Sequence, residues 1–448
     1  MVGLAWPVVL AELGWMGMGV VDTLMVAPLG PAAIGAVGLG STMYFAVAVF
    51  GMGLLLGLDT LVAQAWGAGR RDDARRCLVE GLVLAVIATV PITALALLAP
   101  ALARRGGVHP DVVPMVAAYG RLVAWSTLPL LVYAALRRYL QARGAVRPVM
   151  VALVTANAIN LLANWALIHG HLGMPALGVA GAAWATNLSR VYLVVVLAVS
   201  VLSFDPIARW TARAMGGPPT WRGLVALARL GLPAAVQVTL EVTVFALATM
   251  FAGVLGPVPL AAHQIALTAC SVWFMVPLGI SSAGAVRVGH AVGRGDPAGA
   301  ARAGWTAIGL AMAVTGIGVS VFLGLPRTVL GAFTPDVEVI RVGVVLLAVA
   351  AAFQVCDGLQ VVATGTLRGL GDTRTPMFVN LVAHWGIGLP VGWWLGLRGG
   401  WGVVGLWAGL ALGLIVAGAV LLLTWAIRTA PSHRRELMPV VAAGGVEG

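Results

Sequence analysis

The sequence predicts an all-α integral membrane protein with twelve transmembrane helices in two pseudo-symmetric six-helix lobes. Three observations predict it: an apolar content that water cannot solvate, apolar stretches of span length cut by charge, Gly and Pro, and a repeat relating the two halves of the chain. Of the 448 residues, 60% are apolar and only 10% charged, and the mean hydropathy is +0.99. A soluble chain of this length would form two or three domains; here the lipid bilayer is both solvent and partner. The 59 Gly residues far exceed the roughly 7% of average usage. Small residues let membrane helices pack backbone to backbone.

A span needs about 20 apolar residues, and twelve such stretches can be read along the chain. The first six are Leu4 to Leu29, Val37 to Leu61, Leu78 to Leu102, Val112 to Leu136, Val149 to Ile168 and Leu177 to Val201. The second six are Leu230 to Leu255, Leu260 to Val286, Ala303 to Leu325, Val342 to Leu367, Met377 to Leu397 and Val403 to Ile427. The organisation expected is a first lobe over residues 1–202, a linker over 203–229 carrying Asp205, Arg209, Arg213 and Arg222, a second lobe over 230–428 and a tail over 429–448.

With the N-terminus inside, 20 of the 27 basic residues fall in inner loops or the tail, among them Arg70, Arg71, Arg75, Arg76, Arg137, Arg138, Arg143, Arg287 and Arg368. Only Arg104, Arg105, Arg327, Arg341 and Arg398 fall outside. The positive-inside rule therefore places both termini in the cytoplasm, and the expected location is a bacterial inner membrane. The net charge of +11 is a product of topology, and nothing else supports nucleic-acid binding.

The halves repeat at an offset of 226: Pro7 falls on Pro233, Leu29-Gly30-Pro31 on Leu255-Gly256-Pro257, and Gly67 and Gly69 on Gly293 and Gly295. Six spans per repeat is an even number, so both repeats share one orientation and are related by an axis along the membrane normal.

Several chemistries are excluded. All 27 basic residues are Arg; without Lys there is neither a Walker A loop nor a Schiff-base site. Cys77, Cys270 and Cys356 are far apart and form no disulfide framework or zinc motif. The chain opens in an apolar segment with no basic n-region and no cleavage site, so no removable signal peptide is expected. No cofactor is expected, no enzymatic activity, and a monomer is the simplest assembly.

Polar residues at bilayer depth carry the functional reading, because a carboxylate there costs about 2.5–3.5 kcal/mol even on a forgiving scale. Glu241 lies 11 residues from the inner end of its span and Asp357 lies 10 from its own, which puts both roughly 15 Å deep. No Arg lies inside any span of the second half, so a proton, a metal ion or a cationic substrate must neutralise them. Two nearby carboxyls repel as anions, so one takes up a proton or the pair holds Na+. Gln237, Gln354 and Gln360 add neutral oxygens on the same helix faces.

In the first half, Asp22, Asn160 and Asn164 could meet near the outer leaflet, with Arg121 or Arg190 as a partner for the aspartate. Asp59 and Glu12 are weaker candidates. His263 and His384 could relay a proton, although a hydrogen-bonded packing role is the commoner one for such histidines. The 16 Trp and 10 Phe supply interface belts and could line a cavity for flat aromatic cations.

At these residues the chain resembles the multidrug and toxic compound extrusion (MATE) family of the NorM type, from about Leu4 to Arg428. The resemblance is carried by Val21-Asp22-Thr23-Leu24-Met25, Gln64-Ala65-Trp66-Gly67-Ala68-Gly69, Asn160-Leu161-Leu162-Ala163-Asn164-Trp165 and Gly231-Leu232-Pro233 with Glu241. It continues in Ala262-His263-Gln264, Arg287-Val288-Gly289, and Gln354-Val355-Cys356-Asp357-Gly358-Leu359-Gln360 with Leu367-Arg368-Gly369.

The resemblance implies a V-shaped fold that alternates between inward-open and outward-open states and exports cationic, amphiphilic drugs or toxic metabolites in exchange for H+ or Na+. It implies cation coupling at Glu241, Asp357 and Asp22, and a network or substrate role for Asn160, Asn164, Gln237, Phe353, Gln354, Gln360, Gln264, His263 and His384. The sequence departs from the family at Phe353, where relatives often carry Tyr, and at Glu12, where a neutral residue is common. The missing hydroxyl weakens a Na+ site at Glu241 and Asp357.

Other readings fit less well. A major-facilitator transporter also has parallel six-span halves, but the loop from Gly67 to Arg76 lacks that family's central Gly. A flippase for lipid-linked precursors would share the fold with a more basic lumen. An intramembrane aspartyl enzyme needs a GxGD-like motif that Asp357-Gly358 does not complete, and a passive channel would show no gradient coupling.

Overall fold

The computed structural model describes residues 1–98, 113–205 and 218–432, with the single positions 101, 104 and 210. In chain order its helices are α1 (Val2–Val26), α2 (Pro31–Leu54), α3 (Gly57–Gly67), α4 (Arg71–Ala96), α5 (Val113–Ala124), α6 (Thr127–Ala142), α7 (Arg147–His169), α8 (Val179–Phe204), α9 (Trp221–Val254), α10 (Pro257–Gly293), α11 (Pro297–Gly324), α12 (Pro326–Gly331), α13 (Val337–Leu370), α14 (Arg374–Asn380), α15 (Leu389–Trp393) and α16 (Gly402–Arg428). Each of the twelve apolar stretches is mainly helical over its described residues, and no strand occurs among the described residues. Counting α2 and α3 together, ten helices are long and apolar enough to cross a membrane, and α5 with α6 makes an eleventh, bent by 47°. Leu102 and Val112, which end the third and fourth stretches, lie outside the described residues, as do Arg105, Arg209, Arg213, Arg434 and Arg435.

The stretch from Arg374 to Arg398 is the exception to regular geometry. Between α14 and α15 it runs as a π-helix over Leu381–Gly388, and after α15 as another over Trp394–Arg398. The Leu389 N–H reaches back five residues to the His384 carbonyl, the wider turn of a π-helix. Pro390 has no N–H for the ladder. Gly388, Gly392 and Gly396 lie against α16 at Gly405, Gly409 and Gly413; a Cβ at Gly405 would stand 2.7 Å from the Gly396 nitrogen. Two glycine rows at a spacing of four bring the backbones together.

The helices outrun the apolar stretches that announce them. α10 has 37 residues and α13 has 34, because a helix continues past the lipid wherever its backbone bonds continue. Arg71, Arg75, Arg137, Arg138, Arg287 and Arg368, expected in loops, are therefore helical. Arg75, Arg137 and Arg368 depart furthest, each being buried within its unit.

The repeat is built into the packing. Gly30 (φ 102°) and Gly256 (φ 113°) occupy equivalent positions before Pro31 and Pro257. Each glycine takes a backbone conformation closed to other L-residues, and each proline starts a helix where a missing N–H costs nothing. A Cβ on Gly53 of α2 would stand 2.5 Å from the Ala235 Cα of α9, and one on Gly279 of α10 would stand 2.9 Å from the Val9 nitrogen of α1. Both members of the second contact are offset by 226 from those of the first, so one crossing recurs.

The chain divides into two compact units, Leu10–Ala235 and Val236–Gly448 with Met1–Val9. Their limits, Val9 and Ala235, are also 226 apart. Each unit thus includes one end of a helix that begins in the other. The first unit is bent at Trp125 and Ser126, where the Ser126 and Thr127 hydroxyls donate to the Val123 and Ala124 carbonyls at 2.7 Å each, satisfying acceptors that the break releases. The second unit is filled by small residues and by large anchors such as Trp407, Phe322, Leu346 and Trp425.

Gly231→Ala places a methyl against the Leu54 carbonyl, a backbone atom that cannot yield; it should destabilise the protein by about 1–3 kcal/mol, read as a lowered thermal midpoint in detergent. Gly19→Ala meets nothing within 4 Å and should leave the midpoint unchanged.

Candidate functional site

Three helices of the first unit meet at Asp22. Asn160 and Asn164 share one face of α7, and their amide groups donate to Asp22 Oδ1 at 3.0 and 2.7 Å. Asn164 also donates to Asn160 Oδ1 at 3.2 Å, which fixes both amides. From α8 the Thr186 hydroxyl donates to Asp22 Oδ2 at 2.8 Å and lies 3.1 Å from the Ala182 carbonyl. A hydroxyl has one proton. Directed at Asp22 it serves a charged carboxylate; directed at Ala182 it leaves Oδ2 free to carry a proton and donate it to Thr186. The Tyr119 hydroxyl also bonds to Thr186.

Among the described residues no guanidinium pairs with this carboxylate. Arg190 lies within electrostatic reach of Asp22, but it donates to Ser126 Oγ at 2.5 Å and covers the Tyr44 ring at 4.8 Å. Arg121 is exposed and donates to its own helix at Ala117. Of the two partners considered for Asp22, Arg190 is the neighbour.

In the second unit, Glu241 on α9 and Asp357 on α13 lie within electrostatic reach of each other. Asp357 is buried and Glu241 partly buried. Gln360, one turn beyond Asp357, hydrogen-bonds to Glu241 and donates to Asn380 Oδ1 at 2.8 Å; Asn380 in turn donates to the Pro376 carbonyl. Among the described residues no Arg pairs with either carboxylate, and no group of three metal-ligating side chains forms. The arrangement can hold one mobile positive charge between two acids and a neutral amide.

The remaining predicted residues are spread through the same unit. Gln237 and Gln354 are buried, and Gln264 is exposed. His263 accepts the Trp407 indole N–H at Nδ1, 2.9 Å away, and its Nε2 lies 2.9 Å from Thr249 Oγ1. Since Nδ1 accepts, Nε2 carries the hydrogen and donates to Thr249, whose own proton goes to the Phe245 carbonyl. Both ring nitrogens of His263 are thus hydrogen-bonded within the unit. The Phe353 ring tilts against Trp407 at 5.8 Å, joining the α13 turn before Asp357 to this chain of bonds. His384 is buried in the π-helix with Nε2 unpartnered among the described residues.

The other buried carboxylates of the first unit are answered by fixed groups. Glu12 pairs with Arg137, which also donates to the Tyr133 hydroxyl, and Tyr133 stacks on Trp15 at 5.6 Å. Asp59 pairs with Arg138 at 3.3 Å. Asp205 receives Arg75 at 3.3 Å, Arg143 at 2.6 Å and the Tyr139 hydroxyl at 3.0 Å. Glu80 accepts from the Thr220 backbone and hydroxyl.

Sequence reasoning missed Thr186, Tyr119, Asn380 and Trp407. Asn380 is an amide within an apolar stretch, a signal that was available, whereas Thr186 reads as a threonine bonding its own backbone; Tyr119 and Trp407 were indistinguishable from belt aromatics.

The MatE family profile matches this chain twice, over residues 7–166 and 233–394, with starts 226 residues apart. A probable multidrug resistance protein NorM of Mesorhizobium japonicum is 37% identical over 434 residues, covering 94% of this chain and 92% of its own. Its counterpart in Rhodopseudomonas palustris is 38% identical over 424 residues, covering 93% and 89%. Among solved structures, the eukaryotic MATE transporter AtDTX14 superposes with a TM-score of 0.86 at 22% identity over 98% of each chain. A MATE protein in its bent conformation superposes with a TM-score of 0.86 at 21% identity over 97% and 96%.

Breaking a buried ion pair costs about 3–5 kcal/mol because the surviving charge is stranded. Glu12→Leu should therefore lower the thermal midpoint sharply, and adding Arg137→Met should restore most of the loss. A double variant as unstable as the single one would show that the two charges do not depend on each other.

Proposed function

We propose that this chain, which belongs to the MatE family, is a secondary antiporter that exports cationic, amphiphilic compounds in exchange for an inward-moving H+ or Na+. It works as a monomer in the bacterial inner membrane, with both termini in the cytoplasm and no cofactor. The NorM relatives are named as multidrug resistance proteins, which supports the substrate class.

One observation carries the reading: among the described residues no guanidinium pairs with Glu241 or Asp357, whereas the buried acids of the first unit have an Arg or several donors. Two anions at that depth are unstable together. A proton, a sodium ion or the charge of the substrate relieves them, and only one of these can be accommodated at a time. Competition for the same negative charge couples the two fluxes. Asp22, served by three neutral donors, is a second site that can be charged or protonated without rearranging its partners. Alternating access then delivers the ion inward and the substrate outward. Each inward charge is worth about 2.3 kcal/mol per 100 mV; against a singly charged substrate leaving in exchange that term cancels, and the concentration gradient of the ion drives the export.

The test is efflux of ethidium from proteoliposomes under a pH gradient alone or a Na+ gradient alone. One gradient should drive wild-type efflux, and Glu241→Gln, Asp357→Asn and Asp22→Asn should each abolish it while the protein remains in the membrane. Wild-type efflux in both Glu241→Gln and Asp357→Asn would refute the coupling role.

A further inference from the structure

Most polar residues in the second half of helix α13 lie on one side. At about 100° per residue, Gln354, Asp357, Gln360, Thr364 and Arg368 fall within an arc of about 120°, and Thr364 lies almost directly below Asp357, two turns along. Gln354 is 0% exposed, Gln360 1%, Thr364 8% and Asp357 9%. Thr366, on the opposite side, returns its hydroxyl to its own helix at the Ala363 carbonyl, 2.9 Å away.

Thr364 does not do this. Threonines elsewhere in the second unit, including Thr243, Thr268, Thr306 and Thr315, bond the carbonyl four residues back at 2.7 to 2.8 Å. Thr364 Oγ1 is buried and finds no partner among the described residues, and the same is true of both amide atoms of Gln354 and of Gln360 Oε1. A buried polar atom without a partner costs about 1–3 kcal/mol. Four such atoms along one helix face, on either side of a carboxyl, mark a polar lining that water completes.

We infer that this face of α13 holds a file of ordered water from Gln354 past Asp357 and Gln360 to Thr364, and that a proton travels along it between the Glu241/Asp357 pair and the α13 end at Leu370. The inference rests on the coupling role proposed above and names the ion as H+. A proton leaving the Asp357 carboxyl goes to the nearest water oxygen. Each water then breaks one O–H bond as it forms another with the next, and the Thr364 hydroxyl, which both donates and accepts, continues the chain. Gln354 and Gln360 orient waters without passing a proton themselves. From Asp357 to Thr364 is about 10 Å, and protein oxygens recur about once per 5.4 Å turn. That spacing suits hops through water and is too sparse to replace the hydration shell of a metal ion. The Arg distribution assigns the Leu370 end to the cytoplasmic side, where the proton is delivered.

Thr364→Val removes the hydroxyl and keeps the shape; Thr364→Ser keeps the hydroxyl. Under a pH gradient, Thr364→Val should lower the maximal rate of ethidium efflux at least roughly tenfold with the half-saturating concentration within about twofold of wild type, and Thr364→Ser should stay within about twofold in both. A wild-type rate in Thr364→Val, or equal slowing in Thr364→Ser, overturns the water file. If Thr364→Val does not fold, Gln360→Met interrupts the same file between Asp357 and Thr364: a lowered rate is expected, and a wild-type rate overturns the file. The coupling reading is tested separately by the pH dependence of ethidium binding at equilibrium in detergent. Thr364→Val should retain that dependence and Asp357→Asn should lose it. If Asp357→Asn retains it, the coupling role itself fails; if Asp357→Asn loses it while Thr364→Val transports at the wild-type rate, only the file fails.

Discussion

A charge in the interior of a membrane protein must find an opposite charge or enough hydrogen bonds, and this requirement separates the acids of the two units. Glu12, Asp59 and Asp205 meet Arg residues from other helices and become fixed struts of the first unit. Asp22 meets two amides and a hydroxyl, partners that neither supply nor demand a charge. Glu241 and Asp357 meet chiefly each other. The three arrangements use the same side-chain chemistry and differ only in what opposes it. A charge balanced by Arg is settled for the life of the fold, whereas a charge balanced by nothing in the chain stays available to a traveller.

Much of this sorting was legible before any coordinates. The absence of Arg from the spans of the second half already left Glu241 and Asp357 without a counter-charge, and the spacing of Asn160 and Asn164 placed both on the face that meets Asp22. The pairing of Glu12 was hidden for a physical reason. Hydropathy ends the fourth span at Leu136, so Arg137 reads as a loop residue, yet the backbone ladder carries it into the bundle. Thr186 was hidden differently: a threonine in a membrane helix ordinarily bonds its own backbone, and only packing turns this one toward α1. The fate of His263 depended on Trp407, 144 positions away, which no local pattern announces.

The internal repeat was visible as matched Pro and Gly residues, and packing explains why those residues match. Gly53 and Gly279 admit the backbone of another helix at the same point of each repeat, and any side chain would separate them. The repeats are not identical in their geometry. The first breaks between α2 and α3 and bends between α5 and α6, whereas the second keeps α10 continuous and introduces π-turns before α16. The acids diverge likewise, Asp22 being held by neutral donors and the second-unit pair standing exposed to each other. The two repeats thus share one scaffold and differ in their helix breaks and in what opposes their buried acids.

The most direct test of the central claim is the protonation state of the carboxyls themselves, followed by infrared difference spectroscopy on purified protein as ethidium is added. If Glu241 and Asp357 await a mobile cation, ethidium should remove a protonated-carboxyl band in the wild type, and the change should vanish in Asp357→Asn. A difference spectrum with no carboxyl change, or one that persists in both Glu241→Gln and Asp357→Asn, would contradict the account.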